Sequence, residues 1–137
     1  MIDRLSDAQL GELCELYQGA WWSRGRTLAD VRRVVEGSDI ICAVVAGTEA
    51  SLVGFCRVLA DGVYKALVFD VIVSIDHRGR GVGRMLMDAV CAHPVLDGVE
   101  MIELYCQPEM ESFYSRWGFT TDCGGTILLR RRREIAQ

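Results

Sequence analysis

The chain has 137 residues, half of them hydrophobic, with a net charge of −4, a pI near 5.1 and a mean hydropathy of +0.18. That size fits one domain with a real core, and no apolar run is long enough to span a bilayer. The acidic balance speaks against a dedicated nucleic-acid binder, and the polar opening MIDRLSDAQL lacks the apolar region of a secretory signal, so a cytoplasmic protein is expected.

Ser6 and Gln9 have capping-box spacing, with leucines at 10, 13 and 16 behind them, which predicts a helix over residues 6–18. WWSRGR breaks it. Thr27 and Asp30 open a second helix that runs to Glu36 and closes at Gly37. DIICAVVAG reads as a strand, GTEAS as a turn and LVGFCRVL as the returning strand of a hairpin. After DGV, YKALVFDVIVSI is a long third strand. GVGRMLMDAVCAH is a helix, with Val82, Met85, Leu86, Ala89 and Val90 expected on one buried face and Pro94 as its stop. VEMIELYC is a strand. PEMESFYSRW is a short helix with Pro in its first turn, ended by Gly118, and GGTILLRR is a last strand. The order ααβββαβαβ predicts a single mixed α/β (α+β) domain, without repeats or linkers. Arg130 to Arg133 read as a solvated tail after that strand.

Cys14, Cys42, Cys56, Cys91, Cys106 and Cys123 form no C-x-x-C pair, and there are only two histidines. No metal site is expected. The cysteines read as reduced, small core residues, and no spacing supports a catalytic Cys–His pair.

The sharpest local feature is DHRGRGVGRMLMDAV, residues 76–90. It fails the dinucleotide pattern G-x-G-x-x-G, because Arg84 and Leu86 stand where glycine is required. It also fails the P-loop pattern, which needs a terminal Gly-Lys-Ser/Thr. What it contains is R-x-x-G-x-G, as Arg78, Gly81 and Gly83, between an apolar strand and an amphipathic helix. First-turn amides and the helix dipole suit a pyrophosphate there. Gly81 and Gly83 would admit the phosphates close to the backbone, and Arg78, Arg80 and Arg84 add positive charge. The plainer alternative is a glycine-rich turn that caps an ordinary helix.

This loop resembles the acetyl-CoA-binding turn of the GNAT superfamily of N-acetyltransferases, Arg/Gln-x-x-Gly-x-Gly/Ala. SFYSRWGF, residues 112–119, resembles that family's late helix-to-strand segment, and FDVIVSI resembles its fourth strand. The resemblance covers residues 5–129. YQGAWWSRGRTLADVRRVVEGS and CRVLADGVYKALVFDVIV also look like a group of small single-domain bacterial members. It implies a mainly antiparallel central sheet flanked by helices, with acetyl-CoA as co-substrate and no metal. Acetyl-CoA would lie along Val71 to Val73, and the Val73 N–H would polarise the thioester carbonyl. The amides of Gly79, Arg80, Gly81, Val82, Gly83 and Arg84 would take the pyrophosphate. Tyr114 matches the tyrosine that protonates the departing thiolate, and transfer would go directly to a neutral primary amine. The competing role for Tyr114 is packing against Trp117.

Many relatives place a glutamate six residues before the position matching Val73; here that residue is Leu67. Asp70, alone in an apolar run, is the candidate base or ammonium ligand, against a structural role bonded to backbone or an arginine. Burial should raise its pKa unless cations or donors offset this. Glu103 is a second candidate. His77 reads as a surface turn residue and His93 as a helix-end residue. Trp21 and Trp22 fall where such folds line the acceptor site, with core packing as the alternative. The usual opening strand looks short or missing. The expected partner is a small-molecule or peptide amine, with neither nucleic acid nor membrane, and a homodimer is left open. A non-catalytic acyl-CoA-binding module is the alternative function.

Overall fold

The computed structural model describes residues 1–133. Helix α1, Asp7–Gln18, starts as its spacing requires: the Gln9 N–H donates to Ser6 Oγ at 3.2 Å and the Ser6 N–H donates to Gln9 Oε1 at 2.9 Å. A tight turn follows, locked by buried Ser23, whose hydroxyl donates to the Tyr17 carbonyl at 2.8 Å. Helix α2, Leu28–Glu36, is capped by Thr27, which accepts from the Asp30 N–H at 3.2 Å, and ends at Gly37.

Strands β1 (Ile40–Ala46), β2 (Ser51–Ala60) and β3 (Lys65–Val73) form an antiparallel meander. Helix α3, Val82–Cys91, then carries the chain to β4, Met101–Leu104, which joins the far side of β3 in parallel. The sheet order is β1-β2-β3-β4. Ahead of α1, a single bridge between Ile2 and Ala43 marks where an opening strand would lie.

Side chains alternate across a sheet, and each face meets different helices. Ala43, Phe55 and Ile72 pack with Leu10, Leu13 and Tyr17 of α1 and Val31 of α2. Gly54 faces the other way, towards Val82 and Leu86 of α3. The buried side of α3 is Val82, Leu86, Met87 and Val90, while Met85 is exposed and Ala89 only half-buried. The helix is turned so that the row of four-residue steps, Val82–Leu86–Val90, and its neighbour Met87 face the sheet. That rotation carries Met85 out into solvent.

A second compact unit begins at Cys106, after a first unit of Met1–Tyr105. Its helix α4, Glu111–Tyr114, is flanked by 3₁₀ turns, and Gly118 ends the run with φ +87°. The expected strand over GGTILLRR does not form. Gly124 and Gly125 turn the chain with φ +64° and +82°, and the Thr126 N–H closes a turn onto the Cys123 carbonyl. Residues 126–133 carry no regular structure, and Ile127, Leu128 and Leu129 are exposed. An apolar run supplies strand propensity, but a strand also needs a partner backbone. Arg130 to Arg133 are solvated, as read.

All six cysteines are free thiols. The core reading holds for Cys42 and Cys56, which lie buried and opposite each other across β1 and β2. Cys91, Cys106 and Cys123 are exposed, so it fails for them.

Gly54 sets the approach of α3 to the sheet. A Cβ there would lie 2.5 Å from Val82 Cγ1 and 3.4 Å from Leu86 Cδ1. Gly54→Ala should therefore cost about 1–3 kcal/mol through overpacking, read as a lower urea midpoint at unchanged slope. A wild-type midpoint would show that α3 yields freely.

Candidate active site

The site begins with a fault in the β2–β3 ladder. Arg57 pairs with Phe69 and Phe55 pairs with Ile72, so Cys56 alone faces Asp70 and Val71. This is a β-bulge, and Asp70 sits in it with φ +57°, a conformation that L residues seldom adopt. The extra residue reverses the alternation: Phe69 and Ile72 lie on the same face although three positions apart.

The bulge also decides which amides leave the sheet. The Ser74 N–H donates to the Val53 carbonyl at 2.8 Å, which makes Gly54–Val73 a pair without mutual hydrogen bonds. The Val73 N–H and C=O therefore point away from β2, as do those of Val71 two positions back. Arg78 Nε donates to that outward Val73 carbonyl at 3.3 Å. On the outward side β4 pairs with β3 only from Lys65 to Val68. Beyond Val68, among the described residues, no strand covers these amides.

The glycine loop follows directly. Gly79 and Gly81 have φ +74° and +81°, and open space surrounds both. Gly81 is the N-cap of α3, with no side-chain cap and no acidic residue in the first turn. The first-turn amides of Val82, Gly83 and Arg84 thus have neither an intrahelical partner nor a competing carboxylate. Arg80 and Arg84 stand exposed beside them. His77, half-buried ahead of the loop, keeps a buried Nδ1 without a hydrogen-bond partner. This donor set fits a diphosphate. His93 caps the 3₁₀ turn after α3, accepting from the Val95 N–H.

Asp70 does not point into a dry cavity as a lone carboxylate. Its Oδ2 receives Tyr17 Oη at 2.9 Å, Arg26 Nη1 at 2.9 Å and Arg57 Nε at 2.8 Å, with the side chain 6% exposed. Burial pushes its pKa up, but the hydrogen bonds and charges of Arg26 and Arg57 outweigh this and hold it below the usual carboxylate range. Burial, and then the Asp70 charge, push the Tyr17 phenol far above its ordinary value, so it stays a donor.

Two aromatic arms extend the cluster. The Arg26 guanidinium lies 4.5 Å from the Tyr17 ring centroid and 5.6 Å from that of Trp22. Arg57 lies 4.7 Å from the Phe69 ring, which meets Tyr105 edge-on at 6.2 Å. Trp22 is half-exposed and Trp21 mostly exposed, so neither is a core residue. The aromatic corner at Trp22 already holds a cation, Arg26. Glu103 is half-exposed and paired with Lys65 Nζ at 2.9 Å.

Tyr17, Arg26 and Arg57 escaped the sequence reading. One signal was present: Arg57 is the one charge of β2 and Asp70 the one acid of β3, in adjacent apolar strands.

In the second unit Tyr114 is buried, edge-on to Phe113 at 5.0 Å and to Phe119 at 6.2 Å. Trp117 stacks edge-on with Phe113, 5.1 Å away. Burial pushes the thiols of Cys91 and Cys106 up, away from the reactive thiolate. Among the described residues no cluster of His, Cys, Asp or Glu could hold a metal ion, and no helix is long and apolar enough to cross a membrane.

The family model for the acetyltransferase (GNAT) domain matches residues 39–121, from β1 through the segment after Tyr114. The chain is 29% identical to the uncharacterized N-acetyltransferase ycf52 of Porphyra purpurea, over 90% of this chain and 72% of that one. It is 31% identical to the chloroplastic serotonin N-acetyltransferase 2 of Oryza sativa, over 92% of this chain but 65% of that one. A crystal structure from Xanthomonas campestris, assigned to the GNAT acetyltransferases, superposes with a TM-score of 0.80 at 30% identity, covering 96% of this chain and 92% of that one. The family match spans both the outward amides of β3 and the glycine loop: the chain belongs to the GNAT family of N-acetyltransferases.

Proposed function

We propose that this protein transfers the acetyl group of acetyl-CoA directly to a primary amine of a small molecule or peptide. The observation that carries this reading is the alignment of two sets of unclaimed amides: Val71 and Val73 beyond the end of β4, then the first turn of α3. When bound, acetyl-CoA supplies an acetyl group activated as a thioester. The Val71 backbone holds the pantetheine arm. The Val73 N–H donates to the thioester carbonyl, where a preorganised donor in a dry site gains most. The amides of Gly79, Arg80, Gly81, Val82, Gly83 and Arg84 hold the pyrophosphate, with Arg80 and Arg84 adding charge. The Tyr114 hydroxyl donates its proton to the departing sulfur. A phenol near pKa ~10 can protonate a thiolate whose acid lies near ~8.5.

Asp70, expected to take the amine's proton, is already occupied by Tyr17, Arg26 and Arg57. A carboxylate that holds three donors and titrates low is a weak acceptor of a fourth proton. Asp70 acts here as a positioning residue, and the amine's proton leaves through water. Trp22 walls the acceptor side, with Trp21 at its rim. The protein carries out this reaction as a single domain in the cytoplasm. A non-catalytic acyl-CoA-binding protein is the second reading. What favours it is Leu67 in place of the family glutamate, with Asp70 and Glu103 both ion-paired.

Acetyl-CoA at a hundred times its Kd should stabilise the fold by about 2.7 kcal/mol, a rise in Tm of about 10 °C. Replacing Gly81 and Gly83 by valine should abolish that shift, and a wild-type protein indifferent to every acyl-CoA would sink the proposal. Tyr114→Phe should keep acetyl-CoA affinity while turnover falls about 10²–10⁴-fold; unchanged turnover with chemistry rate-limiting would leave Tyr114 a packing residue.

For Asp70 the sign follows from its lowered pKa. The carboxylate stabilises the fold fully above its unfolded value of about 3.9, and that stabilisation is lost as pH falls through the lower folded value. Asp70→Asn should lose about 3 kcal/mol near neutral pH, and the difference from wild type should shrink as the solution is acidified below about pH 4. A mutant as stable as wild type at pH 7, yet with the acidic limb of its rate profile gone, would restore Asp70 as the base.

A further inference from the structure

The cluster around Asp70 is more than a brace, because its charges do not balance. Two guanidinium groups share one carboxylate, and all three donors converge on Oδ2. One positive charge is left over. It is also not sealed: the Arg26 side chain is 31% exposed and that of Arg57 is 13% exposed. Arg26 gives one Nη to Asp70, and a guanidinium has five N–H donors in a rigid fork suited to a second carboxylate. Rings fix its orientation, with Tyr17 and Trp22 beside it.

The aromatic and cationic groups form a continuous belt: Trp22, Tyr17, Arg26, then Asp70, then Arg57, Phe69 and Tyr105. The belt crosses β3 at Phe69 and Asp70, immediately before the outward amides of Val71 and Val73. Its two ends, Trp22 and Tyr105, are exposed.

Resting on the transferase reading above, we infer that the acceptor is an aromatic primary amine that also carries a carboxylate, and that Arg26 is the specificity residue that binds that carboxylate. The ring of such an acceptor lies against the exposed Trp22 end of the belt. A polyamine brings a second ammonium against the surplus guanidinium charge and is rejected. The same surplus charge lowers the pKa of an incoming ammonium and so favours the neutral, attacking amine. That would serve a site whose strand carries Leu67 instead of a glutamate.

The test separates recognition from chemistry. Calorimetry on the CoA-loaded protein compares 3-phenylpropanoate, which carries ring and carboxylate but no amine, with neutral 3-phenylpropanamide. Wild type should bind the carboxylate about tenfold or more tightly than the amide. Arg26→Met should erase that preference, and Arg26→Lys should restore part of it. Equal binding of the two probes by wild type, or a preference untouched in a folded Arg26→Met protein, overturns the inference. Turnover is read separately, with phenylalanine against phenethylamine and spermidine. Wild type should favour phenylalanine about tenfold in kcat/KM, and a preference for spermidine overturns the inference. If the carboxylate preference holds in calorimetry while no amine is acetylated, the transferase reading fails and the carboxylate site stands.

Discussion

One ionic contact organises the functional half of this protein. Asp70 occupies a left-handed backbone conformation that costs of the order of 1–3 kcal/mol for a non-glycine residue. Three donors from three elements hold it there: Tyr17 at the end of α1, Arg26 from the turn before α2, and Arg57 on β2. Because the contact is shared, it ties the helical layer to the sheet at the point where the sheet changes register. The bulge then turns the Val71 and Val73 amides outward, and the glycine loop lies only a few residues further on.

This arrangement explains why an aspartate survives in the middle of ALVFDVIV. A buried carboxylate would ordinarily be neutralised or replaced. Here two arginines hold it ionised, and its removal would leave two guanidinium groups facing each other. The residue most conspicuous in the sequence is thus an anchor for backbone geometry. The groups proposed to touch the cofactor are mostly main-chain amides, which tolerate varied side chains around them.

The parts of the fold governed by local chemistry were legible in the sequence. Ser6, Gln9, Thr27 and Gly37 cap their helices as their spacing required, and the three-strand meander falls within a residue or two of its turn signals. The loop could be read as well, because positive φ at Gly79 and Gly81 is a demand that glycine meets without strain. What depends on distant partners was not. GGTILLRR has strand composition but no ladder, and Met85 yields its place to Met87 through a rotation that only the sheet imposes on α3. The Asp70 cluster joins residues 13 to 53 positions apart, so no local pattern reports it, although the opposite charges of Arg57 and Asp70 in consecutive apolar strands hinted at a pair.

The central claim is that the bulge at Asp70 presents the β3 amides to an acyl-CoA. It is tested most directly by following backbone amide resonances in ¹⁵N-labelled protein during titration with acetyl-CoA. Val71 and Val73 should shift together with Gly81 and Gly83 and saturate at one concentration. Signals of Val71 and Val73 that keep their free positions at saturation, while the loop amides move, would contradict it.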